Sequence, residues 1–210
     1  MPKTLVIAEK PSVARDIASA LPGSFKKEDG YLESDAYVVT YAVGHLVELA
    51  EPEDYDERFK KWRMADLPIV PDAFKLRPRD PKSKKQLQLI HKLMARDDVD
   101  HVVNACDAGR EGELIFAYTY ETAKKKKPVA RLWLNSMTKK AIQEAFERLR
   151  PAEEMVTLEA AARARSEADW LVGMNATRAA SIRLRPAFDG AVSLGRVQTP
   201  TLALVAKREE

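Results

Sequence analysis

The chain has 210 residues, enough for one large domain or two modest ones. Its apolar fraction of 45% and charged fraction of 32% fit a soluble globular protein, with no repeat and no low-complexity tract. With 35 basic and 32 acidic residues the net charge is only +3, so bulk charge gives no argument for nucleic acid. The single cysteine, Cys106, excludes an internal disulfide framework and fits a reducing compartment.

Thr4–Ala8 is a short apolar run ending at Glu9-Lys10, which predicts a buried strand. Pro11 and Ser12 then open a helix whose face is Val13, Ile17, Ala20 and Leu21, stopped at Gly23. Asp29-Gly30 is a turn signal between predicted strands at Tyr31–Ser34 and Tyr37–Val43. The stretch from Glu51 to Pro81 is rich in proline and charge, and predicts a long irregular loop anchored by Trp62, Leu67, Ile69 and Val70. Leu87, Ile90, Leu93 and Met94 are spaced for an amphipathic helix over about Pro81–Arg96. A strand at His101–Cys106, a helix over about Glu111–Ala123 and a strand at Ala130–Leu134 follow. Thr138 caps a helix to about Leu149, with Ile142, Ala145 and Phe146 inward. Alternating strands and helices predict an α/β fold, a parallel sheet with helices on both faces.

Past Pro151 the pattern changes. Glu153–Arg185 is rich in alanine and arginine, with Val156, Leu158, Ala161, Ala168, Leu171 and Val172 as an apolar face. A second helix is expected from about Val197 to the end. The expected organisation is one α/β domain over residues 1–150 and the start of a helical domain over 151–210. No apolar run approaches the roughly 18 residues that span a bilayer, and no secretory signal opens the chain, so a cytoplasmic protein is expected.

The richest segment is Asn104–Glu113, Asn-Ala-Cys-Asp-Ala-Gly-Arg-Glu-Gly-Glu. Asp107, Glu111 and Glu113 fall within seven residues at a strand end that opens into a helix. Carboxylates so placed suit Mg²⁺, which takes only one or two from protein beside a phosphate. Arg110 offers a planar fork to a phosphate. The plainer reading is a charged helix start. Ligands of such sheets gather at the carboxyl ends of the strands, where Glu9-Lys10 and Asp107 both fall. Cys106 reads as a small buried hydrophobe rather than a nucleophile. Basic residues cluster at 75–85, at Lys124–Lys127, and as arginines through the last quarter. Such runs are more often solvated faces than phosphate contacts.

Five motifs occur in order: Leu5-Val6-Ile7-Ala8-Glu9-Lys10-Pro11-Ser12, Val43-Gly44-His45-Leu46, Asp107–Glu113, Glu167-Ala168-Asp169-Trp170-Leu171-Val172-Gly173, and Ser193-Leu194-Gly195-Arg196-Val197-Gln198-Thr199-Pro200. Together they resemble the N-terminal part of a type IA DNA topoisomerase of the bacterial topoisomerase III-like branch, over essentially the whole chain. The resemblance implies a Toprim (Rossmann-like) domain followed by the start of a domain that helps form a single-stranded DNA groove. It implies Mg²⁺ as cofactor and strand cutting by transesterification, strand passage and resealing without ATP. Glu9 matches the acid beside the scissile phosphate, a general acid for the leaving 3′ oxygen or a metal partner. Lys10 matches the lysine that steadies the phosphate. Asp107 and Glu111 match metal-binding acids, and Glu113 is an outer acid or a plain helix acid. Arg165 and Asp169, four apart on one helix face, match residues lining the groove. Arg196 and Gln198, in a loop entering a helix, match positions on the DNA backbone. Trp170 can stack a base, although core burial is its plainer role.

The chain departs from the commonest family pattern, Asp-x-Asp-Arg-Glu-Gly-Glu, by carrying Gly109 at the second aspartate. Weaker metal binding, or a compensating role for Glu111, is the expectation. His45 reads as structural rather than as a ligand. The family's tyrosine nucleophile sits in a Tyr-Pro-Arg-Thr-like context, and none of Tyr31, Tyr37, Tyr41, Tyr55, Tyr118 and Tyr120 has one. The chain is therefore expected to be a monomeric fragment, inactive alone, whose partners are single-stranded DNA and the rest of a longer topoisomerase chain. Two other readings stay open at this point: a free-standing Toprim nuclease or primase-like enzyme using metal-activated water, and a non-catalytic DNA-binding module.

Overall fold

The computed structural model describes residues 2–185, 187 and 190–209. In chain order its elements are β1 (Lys3–Ala8), α1 (Pro11–Ala20), β2 (Lys26–Glu28), β3 (Tyr31–Glu33), β4 (Tyr37–Tyr41), β5 (Val47–Leu49), β6 (Leu76–Pro78) and α2 (Pro81–Met94). Then come β7 (Val99–Ala105), α3 (Arg110–Glu121), β8 (Val129–Arg131), α4 (Lys139–Phe146), β9 (Arg150–Pro151), α5 (Val156–Leu184) and α6 (Gln198–Glu209). The last helix was expected to reach the final residue; Glu210 lies outside the described residues.

A sheet of seven strands runs in the order β2-β3-β4-β1-β7-β8-β9. Its centre is parallel: β1 pairs β4 on one side and β7 on the other, and β7 pairs β8. The margins are antiparallel, with β2-β3-β4 at one side and β9 against β8 at the other. The expected parallel sheet is thus a mixed one with a parallel core. Successive side chains of a strand point to opposite faces, and both faces of β1 are fully buried from Leu5 to Ala8. Val6 and Ala8 join Val39, Val103, α1 through Ala14 and Ile17, and α4 through Ile142. Leu5 and Ile7 turn to the other face, where Leu87, Ile90 and Met94 of α2 are also buried. His91 of α2 lies 3.0 Å from the Thr119 carbonyl of α3, tying the two helices.

The helix starts follow local chemistry. Pro11 and Pro81 occupy first-turn positions, where a missing N–H costs nothing. The side chains of Asp80 and Thr138 accept from the amides of Ser83 and Ala141, capping α2 and α4.

At the amino-terminal edge of the sheet, Arg96 donates to both Glu33 oxygens at 2.6 and 3.1 Å and to Asp98 at 2.7 Å, and Lys3 reaches Glu33 at 2.6 Å. Hydrogen bonding to Arg96 holds both carboxyls below their usual values. A depressed carboxyl contributes stability above its unfolded pKa and loses it as pH falls through the folded value. Glu33→Gln is therefore expected to cost about 1 kcal/mol at pH 7. The variant should lose less stability than the parent on acidification below about pH 4.5. Urea unfolding from pH 3 to 7 checks this; parallel curves for parent and variant would refute it.

By compactness the chain forms two units, residues 1–48 with 76–162, and residues 49–75 with 163–210. The sequence instead places one break, near residue 151. The segment read as an irregular loop contains three short 3₁₀ turns, Pro52–Asp54, Glu57–Lys60 and Met64–Asp66. It belongs with α5 because its anchors are taken there. Asn175 brackets Ile69, accepting from its amide at 2.6 Å and donating to its carbonyl at 2.9 Å. Buried Arg178 donates to the Phe59 carbonyl at 2.6 Å. No helix among the described residues is long and apolar enough to cross a membrane.

Candidate phosphate and metal site

β1 and β7 are adjacent and in register, Ala8 beside Ala105, so the residues that follow them emerge side by side. β1 has β4 on one flank and β7 on the other, which makes this strand end a topological switch point, where open α/β sheets bind ligands. Glu9, nearly buried, accepts from the Asp107 amide at 3.3 Å. Lys10 Nζ lies 2.9 Å from Asp107 Oδ2 and 3.3 Å from Glu9 Oε1. One ammonium thus bridges the two carboxylates that the sequence places 98 residues apart. Asp107 first, then Glu9, push the Lys10 pKa above its ordinary value, so the bridge stays charged.

The loop after β4 closes the site from a third side. Ala42 and Gly44 amides donate to the Ala8 and Glu9 carbonyls at 2.8 and 3.1 Å. Val43 sits at φ 59°, a left-handed conformation that disfavours a β-branched residue. Such backbone strain concentrates at functional sites. The turn carries His45, whose Nε2 lies 3.2 Å from Glu111 Oε2. No spacing in the sequence links that pair, and His45 reads there as structural rather than as a ligand.

Sequence-predicted residues divide accordingly. Glu9, Lys10 and Asp107 are brought together. Glu111 is exposed at the second position of α3 and turned to His45, and Arg110 is exposed at its first. Among the described residues no group of three or more His, Cys, Asp or Glu is gathered to hold a metal ion. Two carboxylates, Glu9 and Asp107, do converge. That number fits Mg²⁺, which takes one or two protein carboxylates and draws its other ligands from water and phosphate. Gly109 has φ +156° and ψ 178°, a backbone region in which an aspartate is strained. The missing second aspartate and the conformation of the turn therefore go together.

Sequence reasoning also missed the support beneath the site. Glu113, read as an outer or helix acid, is 4% exposed and paired with Arg131 at 2.5 Å. Burial pushes its carboxyl up, against the pull of the arginine. Cys106 is buried, and burial drives its thiol far up, so it stays protonated and inert.

In the second unit, Asp169 sits between two arginines, 2.8 Å from Arg196 Nε and 3.8 Å from Arg165 Nε. Gln198 donates to Ser193 Oγ at 2.8 Å. Asp169, Arg196 and Gln198 line an open cleft of about 750 Å³ with Gly173 and Gly195. Trp170 is occupied elsewhere. Its Nε1 donates to the Ala50 carbonyl at 3.0 Å, and its ring meets Tyr55 and Phe74 edge-on.

Acids and an ammonium at two strand ends, each followed by a helix N-terminus, make this an α/β domain with a candidate ligand site at the carboxyl edge of its sheet. Comparison with known proteins narrows this. Residues 4–137 match the Toprim domain family and residues 153–210 the DNA topoisomerase family. The chain is 51% identical over 209 residues to DNA topoisomerase 3 of Bacillus subtilis and 50% identical over 210 residues to that of Bacillus licheniformis. All of the chain is covered in both cases, and it spans 28% of the length of those relatives. The fold is shared with full-length topoisomerase I from Thermotoga maritima, with a TM-score of 0.64 and 22% identity over 98% of this chain and 30% of that one. The chain belongs to the Toprim-containing type IA DNA topoisomerases and corresponds to the N-terminal region of their bacterial topoisomerase III branch.

Proposed function

We propose that this chain supplies the scissile-phosphate and Mg²⁺ site, and part of the single-stranded DNA groove, for the cutting and resealing of one DNA strand. The convergence of Glu9, Lys10 and Asp107 at the ends of β1 and β7 carries the reading. Glu9 and Asp107 would hold the ion, with Glu111 able to join them. An ion held there would supply positive charge for the phosphate and its leaving oxygen. Lys10 steadies a non-bridging phosphate oxygen, and the exposed Arg110 offers a second cationic contact. Glu9 is nearly buried, beside both the ammonium and the aspartate; it serves either as a carboxylate on the ion or, left off the ion, as general acid to the leaving 3′ oxygen. The amino ends of α1 and α3 add favourable dipoles for the phosphate. In the second unit Arg165 and Arg196 engage the DNA backbone, with Asp169 setting their orientation, and Gln198 hydrogen-bonds beside them.

None of the six tyrosines has the context of the family nucleophile, so the partner that completes the reaction is the remainder of a longer chain. The protein works as a cytoplasmic monomer on single-stranded DNA. Binding of Mn²⁺ as a Mg²⁺ surrogate, followed by its electron-spin resonance, tests the site. The expected result is one site, weakened about tenfold or more in Asp107→Asn. Unaltered binding in that variant would overturn the metal assignment. The 210-residue chain is expected to leave supercoiled plasmid unchanged; metal-dependent nicking would support a nuclease instead.

A further inference from the structure

Arg131, the last residue of β8, is 1% exposed. A guanidinium in a protein interior is costly unless its donors are paired. Here they are spent mainly on backbone. Nη1 donates to the carbonyls of Asn104 at 3.1 Å, Cys106 at 2.7 Å and Leu132 at 2.8 Å, and Nη2 donates to the Asp107 carbonyl at 2.9 Å. Nε donates to Glu113 Oε1 at 2.5 Å, and Asn104 Nδ2 donates to the other Glu113 oxygen at 3.2 Å. Three of those carbonyls lie where β7 ends and the chain turns toward α3. Cys106 and Asp107 follow the last ladder residue, so they need a donor from outside the sheet. Glu113 stands in the first turn of α3. The guanidinium therefore grips both ends of the turn that carries Asp107.

We infer that Arg131, with Glu113 as its counter-charge, is a positioning residue that fixes the 107–113 turn so that the Asp107 carboxylate faces Glu9. It touches no reacting atom and acts through the backbone of Asp107. The inference rests on the reading of Glu9 and Asp107 as the metal and phosphate site. A hydrophobic pair of similar volume would fill the same space without leaving a buried charge unpaired. Such a pair cannot donate to the Cys106 and Asp107 carbonyls, and this separates positioning from mere packing.

The test compares the full chain with the double variant Arg131→Met/Glu113→Leu and with Arg131→Lys, which keeps a charge for Glu113. Three quantities are read: urea stability, amide exchange of Cys106 and Asp107 against Val102 and Val103, and Mn²⁺ affinity. The Asp107 amide is informative because its acceptor is Glu9 itself. The double variant is expected to fold and to be more stable than Arg131→Met alone, short of the parent by the cost of the undonated carbonyls. Its Cys106 and Asp107 amides should exchange about tenfold faster or more relative to Val102 and Val103, and its Mn²⁺ affinity should fall by a similar factor. A folded double variant with unchanged Mn²⁺ affinity, or with the Asp107 amide as slow as in the parent, overturns the inference. If the double variant does not fold, the same readouts on Arg131→Lys decide, with the same outcomes. Failure of both variants to fold would make Arg131 a general stability residue and overturn it too. If the parent binds no Mn²⁺, the metal reading fails by itself, and amide exchange alone decides the positioning claim.

Discussion

Gly112→Ala is expected to wreck the acidic turn and cost about 3 kcal/mol or more in urea unfolding. A Cβ on Gly112 would lie 2.0 Å from the Asp107 carbonyl oxygen and 2.9 Å from its C and N atoms. These are backbone atoms, and that oxygen is already held by Arg131, so no flexible side chain can swing aside. The glycine is therefore a condition for packing the first turn of α3 against the end of β7. Gly109, three residues earlier, is the control. A Cβ there meets nothing within 4 Å, and only its φ of +156° resists substitution. Gly109→Ala and Gly109→Asp are accordingly expected to cost about 1–3 kcal/mol, the range for a residue forced into a sparsely populated conformation. Losses at Gly112 no larger than those at Gly109 would contradict the close approach. Restoring the family's second aspartate thus means re-forming the turn as well as adding a ligand, and Gly109→Asp is not expected to strengthen Mn²⁺ binding by itself.

Arg131→Met alone is expected to lower stability by about 3–5 kcal/mol, because it strands the buried Glu113 carboxylate and leaves strand-end carbonyls without a donor. The same substitution paired with Glu113→Leu should recover most of that loss, since the stranded charge is gone. The coupling between the two positions, read from a double-mutant cycle in urea, should be on the order of 2 kcal/mol or more. Additive single losses would show that the two side chains do not depend on one another.

These predictions centre on residues that were hard to read in advance, for physical reasons. β1 and β7 announce themselves as short apolar runs, and α1, α2 and α4 by an apolar face at helical spacing with a proline or a capping side chain at the start. β2 does not. Its Lys26-Lys27-Glu28 run is exposed and is recruited only because Tyr31–Glu33 lies opposite it. The 49–75 segment looked irregular because its partners, Asn175 and Arg178, lie more than a hundred residues away. Glu9, Lys10 and Asp107 were legible because sheet topology sends strand ends to one edge. Arg131 was not, because an arginine ending a short strand is ordinarily solvated and nothing in its spacing marks it as buried. His45 and Glu111 meet only through a strained turn at Val43, which composition cannot foretell.

The discontinuity of both compact units bears on how the protein is made. Residues 49–75 leave the ribosome early, yet the helix that claims Phe59 and Ile69 is synthesised only after the whole of the first unit. Until then the segment, which lies between β5 and β6, two strands that pair with each other, lacks the partners that Asn175 and Arg178 give Ile69 and Phe59. A minimal domain is thus better built by deleting that insert and joining the hairpin directly than by stopping translation near residue 150, which would leave a nascent chain with a permanently orphaned loop.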